Sequence, residues 1–386
     1  MSAVLFVTNG HGEAAIAQRI GGELRSIVPE ARLDHLALVG DTPGEGLNPV
    51  GPRRAMPSGG LIAMGNVRNL MRDLGAGLLG LTWAQARFLR GARGRYDAVV
   101  AIGDVYALFM ALLARAPAVF VGSAKSVAVA PYGKWESRVV ARAAAAFVRD
   151  DATAAALSRR GVVAEAANTI VDLFPNAGAP APRAADGFSP ALALFPGSRD
   201  GAYDDGAFLI AVTGALAATR PRLGAVLSIA PGLDCDRFER EARRAGWEIT
   251  RAGDASIPFV LRRDGRDVVR AWRGSLGPLI ATAEMVLGQA GTANEAAAAA
   301  GVPVVAFESD GDRKGRWYRE RQQGLLGEAL AVFPRHVDAA AAGVAGILDD
   351  PVRRARMGAT GRARMGPSGG ARRVAERAAL LMRTQR

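Results

Sequence analysis

The feature that most constrains this chain is a recurring unit: a short apolar run, a glycine-bearing turn at its end, then an amphipathic helix. Residues 3–7 form the first run, Thr8-Asn9-Gly10-His11-Gly12-Glu13 the turn, and Ile16, Ile20, Leu24 and Ile27 follow at helical spacing. The unit recurs at 98–102 before Gly103-Asp104 and at 118–121 before Gly122-Ser123. Strands that alternate with helices and end in glycine predict an α/β fold with a parallel, doubly wound sheet. It starts again at 192–195 before Pro196-Gly197-Ser198-Arg199, at 226–229 before Pro231-Gly232, and at 285–287 before Gly288-Gln289-Ala290-Gly291-Thr292. The 386 residues suit two such domains at about 150 residues each. Residues 176–190, rich in Ala, Pro and Gly and without periodicity, read as the linker. The expected organisation is a first domain over 1–175, a second over 191–365, and a final helix over 366–386 that returns to the first domain. Val374, Ala378, Leu381 and Met382 share one face of that helix, and two domains in tandem would leave a cleft between them. Asp264-Gly265, between apolar runs at 259–261 and 268–269, reads as a hairpin turn.

Composition narrows the function classes. With 49% hydrophobic and 22% charged residues the chain is globular, and disorder is excluded. One cysteine, Cys235, forms no internal disulfide, and His11, His35 and His336 show no zinc-ligand spacing, so a reducing, cytoplasmic setting without a structural metal is expected. The N-terminus has no basic segment or cleavage site of a signal peptide, and no run approaches the roughly 18 apolar residues of a membrane span. The net charge of +12 suits phosphates or acidic lipid headgroups, or reflects arginine-rich coding alone. No recognition helix or aromatic-interleaved basic patch supports nucleic-acid binding.

Glycine lets a backbone approach a phosphate closely, and a helix N-terminus offers it unpaired N–H groups. Two places fit: Gly197-Ser198-Arg199, and the stretch containing Gln289, Gly291, Thr292 and Asn294. Either alone reads equally as a turn; together, at strand ends in one domain, they point to a nucleotide diphosphate. Glu295 follows, where a carboxylate can accept from both ribose hydroxyls or merely favour the helix dipole.

The segments Leu194-Phe195-Pro196-Gly197-Ser198-Arg199 and Gly291-Thr292-Ala293-Asn294-Glu295, with Gly301-Val302-Pro303-Val304 after them, resemble motifs of lipid-A-disaccharide synthase. Asn9-Gly10-His11-Gly12-Glu13, Pro57-Ser58-Gly59-Gly60 and residues 322–327 place the resemblance with the lipid-A-disaccharide-synthase-related branch, over most of the chain. The resemblance implies a GT-B glycosyltransferase: two Rossmann-like domains, UDP-sugar donor on the C-terminal one, acceptor on the N-terminal one, inversion at the anomeric carbon and no obligatory metal or other cofactor. The first loop differs from that enzyme's, and Val105-Tyr106 follows Gly103-Asp104 in place of its Pro-Asp-Phe-Asn continuation. Fold and reaction class therefore carry over, and the acylated glucosamine substrates do not.

Sugar transfer needs a base for the acceptor hydroxyl and positive charge or N–H dipoles for the leaving diphosphate. Asp104, at a strand end and alignable with the family's catalytic Asp, is the leading base or else a helix cap. His11 is the rival base, or a group that positions the acceptor beside Gly10 and Gly12 or hydrogen-bonds to the loop, and Glu13 is either a helix-start carboxylate or a third candidate. Arg199 is the expected diphosphate ligand, or else an exposed structural arginine. Asp310-Gly311-Asp312 matches a metal motif of another glycosyltransferase fold, but its setting among Arg313, Lys314, Arg316 and Arg319 opposes that use. Gln322 and Gln323 are expected to begin a helix near the donor, with Gln322 a sugar contact.

Val67, Met71, Leu74, Leu78 and Leu81 form an apolar stripe interspersed with Arg68, Arg72, Arg87 and Arg90. Such a segment either packs on the core or lies in a membrane interface with Trp83 in the acyl boundary. The combined expectation is a UDP-sugar-dependent transferase acting on a lipid or lipid-linked acceptor, cytoplasmic and held at the inner face of the cell membrane. A UDP-N-acetylglucosamine 2-epimerase-like enzyme and a non-catalytic nucleotide-sugar-binding protein are the alternatives.

Overall fold

The computed structural model describes residues 2–40, 46–54, 77–175, 181–308 and 313–384; the side chains of His11, Arg313 and Lys314 are outside the description. The chain divides into two compact units, one formed by Met1–Leu173 with Pro367–Arg386, the other by Phe174–Gly366.

In the first unit β1 (Ala3–Thr8), β2 (Arg32–Ala37), β3 (Asn48–Pro49), β4 (Ala98–Ile102), β5 (Ala118–Gly122), β6 (Ala145–Val148) and β7 (Glu165–Ala166) make a seven-stranded sheet. Its order is β3-β2-β1-β4-β5-β6-β7 and every pairing is parallel. The runs AVLFVT and AVVAI are buried on both faces, as a sheet covered by helices on each side requires. Around it lie α1 (His11–Ile27), α2 (Leu78–Gly91), α3 (Val105–Ala111), α4 (Lys134–Val140) and α5 (Asp151–Ser158). One face is covered by Ile16, Ile20 and Leu24 of α1 together with Val374, Ala378 and Met382 near the chain's end. Leu89 of α2, Leu108 of α3 and Val139 of α4 cover the other.

The second unit holds β8 (Ala191–Phe195), β9 (Gly224–Ser228), β10 (Glu248–Thr250), β11 (Val260–Arg263), β12 (Arg266–Trp272), β13 (Met285–Gly288), β14 (Val304–Glu308) and β15 (Leu330–Pro334). Their order is β10-β11-β12-β9-β8-β13-β14-β15, antiparallel across β10-β11-β12 and parallel elsewhere. Its helices are α6 (Ala202–Thr219), α7 (Cys235–Arg244), α8 (Leu276–Thr282), α9 (Thr292–Ala300), α10 (Arg313–Leu326), α11 (Val337–Leu348) and α12 (Pro351–Met365); α13 (Gly370–Thr384) then joins the first unit. The β11–β12 hairpin turns at Asp264-Gly265, whose φ angles of 51° and 74° are those of a two-residue hairpin loop.

Residues 183–190, inside the stretch expected as linker, are packed in the second unit. Ala184 and Ala185 are buried, and Arg270 stacks 4.3 Å from the Phe188 ring centroid and donates to Asp186 O at 2.6 Å. Small residues held by a neighbour's guanidinium leave no hydrophobic period to read. Among the described residues no helix is long and apolar enough to cross a membrane.

Candidate active site

In a doubly wound sheet, ligands bind beyond the carboxyl ends of the strands where the winding direction reverses. In the second unit that point lies between β8 and β13, the strands that carry the two glycine turns. The turns are stitched together: the N–H groups of Gln289 and Ala290 both donate to Phe195 O, at 2.8 and 3.2 Å. Gln289 also bridges to β14, its carboxamide donating to Phe307 O at 3.0 Å and accepting from Phe307 N at 3.2 Å. Behind the loop, Gln322 donates to Ala290 O and Gly291 O at 3.1 and 3.4 Å. Arg319 donates to Gln322 Oε1 at 2.8 Å and to Gln289 O at 3.2 Å. Buried Asn294 donates to Gly288 O at 3.0 Å. The carboxamides of Gln289, Asn294 and Gln322 are thus engaged in holding the loop. With its carbonyls turned into these braces, the loop leaves the first N–H groups of α9, at Thr292 and beyond, as donors without an intrahelical acceptor.

On the other turn, Gly197 has φ 111°, and nothing lies within 4 Å of where a Cβ would stand. Ser198 and Arg199 are exposed beside it. The Tyr318 hydroxyl packs against Gly291, and the residue as a whole is 36% exposed. Burial and then the Glu295 carboxylate raise that phenol's pKa, and Arg319 and Arg199 oppose the rise. Arg199, Glu295, Tyr318 and Arg319 therefore share one electrostatic neighbourhood at the loop.

Gln322 and Gln323 do not begin a helix; they lie well inside α10, which starts at Arg313. The inward face of α10 is Arg319, Gln322 and Leu326, all buried at helical spacing. Two of those three are polar, so a search for apolar periodicity passes over the helix and over Arg319. Tyr318 carried no signal in the sequence at all. Asp310-Gly311-Asp312 falls outside the described residues.

In the first unit the reversal lies between β1 and β4. Gly103, at φ 125°, ends β4, and a Cβ there would stand 2.6 Å from Asn9 Oδ1 and 3.1 Å from Glu13 Cγ. Only glycine lets the first loop fold onto the β4 end, and it brings Asn9, Gly10, Glu13, Gly103 and Asp104 together. Gly10 caps α1, His11 is the helix's first residue, and Gly12 is exposed. Asp104 is half-buried and caps α3, its Oδ1 accepting from Tyr106 N at 3.0 Å and Ala107 N at 3.2 Å. Both bonds fall on one carboxylate oxygen.

No protein-family model matches this chain, and no curated protein matches it in sequence. Solved structures do match over nearly its whole length. A complex of S. aureus MnaA with UDP superposes with a TM-score of 0.57 at 14% identity, covering 97% of this chain and 95% of that one. A putative UDP-N-acetylglucosamine 2-epimerase from Listeria monocytogenes gives 0.59 at 13% identity, covering 99% and 96%. The calicheamicin glycosyltransferase CalG4 gives 0.59 at 18% identity, covering 99% and 98%. The fold is GT-B.

On the N-terminal GT-B unit, α2, α3 and α4 lie side by side over one face of the sheet and turn aromatic side chains outward. Trp83 of α2 is 63% exposed and Trp135 of α4 61%, with Leu79, Tyr106 and Phe109 also exposed. Arg87 lies 5.7 Å from the Trp83 ring centroid. Leu78 and Leu81, read as part of a continuous stripe, are half-buried, whereas Gln85 and Leu89 are the buried residues of α2. Arg68 and Arg72 lie outside the described residues. Among the described residues no three His, Cys, Asp or Glu side chains converge as a metal site.

Proposed function

We propose that this protein is a UDP-sugar-dependent glycosyltransferase whose acceptor is a lipid or lipid-linked molecule, with the donor on the second unit and the acceptor on the first. The observation that carries the reading is the pairing of a braced diphosphate loop in one unit with a carboxylate beside an outward aromatic, basic helix face in the other. A UDP-sugar epimerase needs the former and has no use for an amphiphile-docking face. The fold is shared by the epimerase and the glycosyltransferase that this chain resembles and does not choose between them; the motifs that resemble lipid-A-disaccharide-synthase-related proteins favour the transferase.

In this reading the acceptor hydroxyl gives its proton to Asp104 as its oxygen bonds to the anomeric carbon of the sugar. The bond from that carbon to the β-phosphate oxygen breaks, and UDP leaves with the electron pair. Arg199 and the first N–H groups of α9 meet the charge that develops on the diphosphate, and Glu295 accepts from the ribose hydroxyls. Tyr318, beside Gly291, is a further hydrogen-bond donor at the same place.

The deciding assay measures UDP release from a panel of UDP-sugars with and without total lipid extracted from the source cell. Release that depends on lipid supports the transferase; isomerised donor with no lipid requirement makes the chain an epimerase.

Two variants test the parts separately. Arg319→Ala removes the brace behind Gln289 and Gln322, and is expected to weaken UDP binding about tenfold by calorimetry, equivalent to ~1.4 kcal/mol. Wild-type affinity in that variant would mean the loop stands without its brace. The double variant Trp83→Glu/Trp135→Glu is expected to abolish sedimentation with vesicles containing phosphatidylglycerol while leaving UDP binding unchanged. Retained sedimentation would remove the α2–α4 face as the membrane contact.

A further inference from the structure

The loop between β13 and α9 is backed by a charge that a brace alone does not need. Arg319, on the inward face of α10, is 7% exposed, and its guanidinium donates to Gln322 Oε1 at 2.8 Å and to Gln289 O at 3.2 Å, both neutral oxygens. Among the described residues no carboxylate forms an ion pair with it: Asp205 and Glu308 attract it only from a distance, and Asp205 is already paired with Arg335. Burying a guanidinium without a facing anion is costly, and here burial pulls the Arg319 pKa down. A neutral carboxamide could donate to the same kind of oxygen without that cost.

The hydrogen bonds lead from this charge to N–H groups that are open to a ligand. Gln322, its Oε1 held by the guanidinium, donates through Nε2 to Ala290 O at 3.1 Å and to Gly291 O at 3.4 Å. A carbonyl and the N–H of the following residue belong to one planar peptide unit, so the two units engaged are those that carry the Gly291 and Thr292 N–H groups. Neither N–H donates to an acceptor among the described residues. Hydrogen bonds in series polarise one another, and a charged first donor in dry surroundings strengthens the effect. We propose that Arg319 supplies positive charge to a bound diphosphate through this series, by way of Gln322 and the two peptide units, without touching the ligand. The diphosphate is then the anion that the buried guanidinium lacks. This rests on the donor-side reading above and makes Arg319 a positioning residue that sets the preference for a nucleoside diphosphate over the bare nucleoside.

The test measures UDP and uridine binding to the full chain by calorimetry, the ratio of the two affinities giving what the diphosphate contributes. In Arg319→Gln, which keeps a neutral donor behind the loop, UDP is expected to bind about tenfold more weakly and uridine as in wild type. Arg319→Lys keeps the charge and is expected to hold the ratio within about threefold of wild type. A brace with no electrostatic part behaves differently, weakening UDP and uridine together in both variants. That parallel loss overturns the proposal, as does a ratio that Arg319→Gln leaves unmoved or that Arg319→Lys restores no better than Arg319→Gln. Gln322→Leu cuts the series while leaving the charge, and decides the matter if Arg319→Gln does not fold: the ratio is expected to fall, and an unchanged ratio overturns the proposal. A wild-type protein that binds neither ligand removes the donor reading and this inference with it. A wild-type preference for UDP that survives every variant overturns the inference alone and leaves the donor reading standing.

Discussion

Asp104→Asn is expected to lose sugar transfer by about 10²- to 10⁴-fold while its thermal transition stays at the wild-type position. The two halves of that expectation come from the two duties of one carboxylate. Asn keeps an Oδ1 that accepts from the Tyr106 and Ala107 N–H groups, so the start of α3 stays capped. It has no charge with which to take a proton from an acceptor hydroxyl. Asp104→Ala removes both and is expected to cost about 1 kcal/mol of stability for the lost cap as well as the activity. The pair is measured as lipid-dependent UDP release alongside a melting curve. An Asn variant with wild-type turnover would reduce Asp104 to a cap and pass the base to Glu13 or His11, in the first turn of α1, which follows the loop that folds onto the β4 end.

The sequence exposes what is local and hides what is assembled. Strand runs such as 98–102, the Ile16, Ile20, Leu24 series and the Asp264-Gly265 turn each encode their structure within a few residues, and the structure has them in place. The glycine turns were legible because glycine at a strand end is a local demand. Arg319 was not, since it acquires meaning only through a partner about thirty residues away, in the loop after β13. Gln289 shows the same limit from the other side: a polar residue in a glycine-rich loop suggests a ligand contact, yet its carboxamide acts as one more rung of pairing to Phe307. The exposed Trp83 and Trp135 were equally invisible as a pair, because helices 78–91 and 134–140 become neighbours of α3 only once the sheet has ordered them.

Asp172 is the extreme case of such long-range dependence, and its replacement is the stability change we expect to be largest. It sits buried in a short turn after β7, and its two oxygens accept from the N–H groups of Gly369 at 2.6 Å and Ala371 at 2.7 Å. These are donors at the start of α13 that the helix itself cannot satisfy. The bonds tie α13, through Val374, Ala378 and Met382, to the core it shares with α1. In Asp172→Ala the buried Ala371 N–H is left with no acceptor, at about 1–3 kcal/mol, while the N–H of exposed Gly369 turns to water. A total of about 2 kcal/mol is expected, visible as a melting temperature lower by roughly 4–8 °C for a unit of this size. Asp172→Asn restores one acceptor and sets an NH₂ group against the other donor, so it is expected to recover little. Amide hydrogen exchange gives the local readout: in Asp172→Ala, protection should fall first along α13 and then in α1, the helix packed against it. A variant that melts as wild type would show that the apolar face of α13 holds the helix without its cap, and that the two short bonds add little to the packing beneath them.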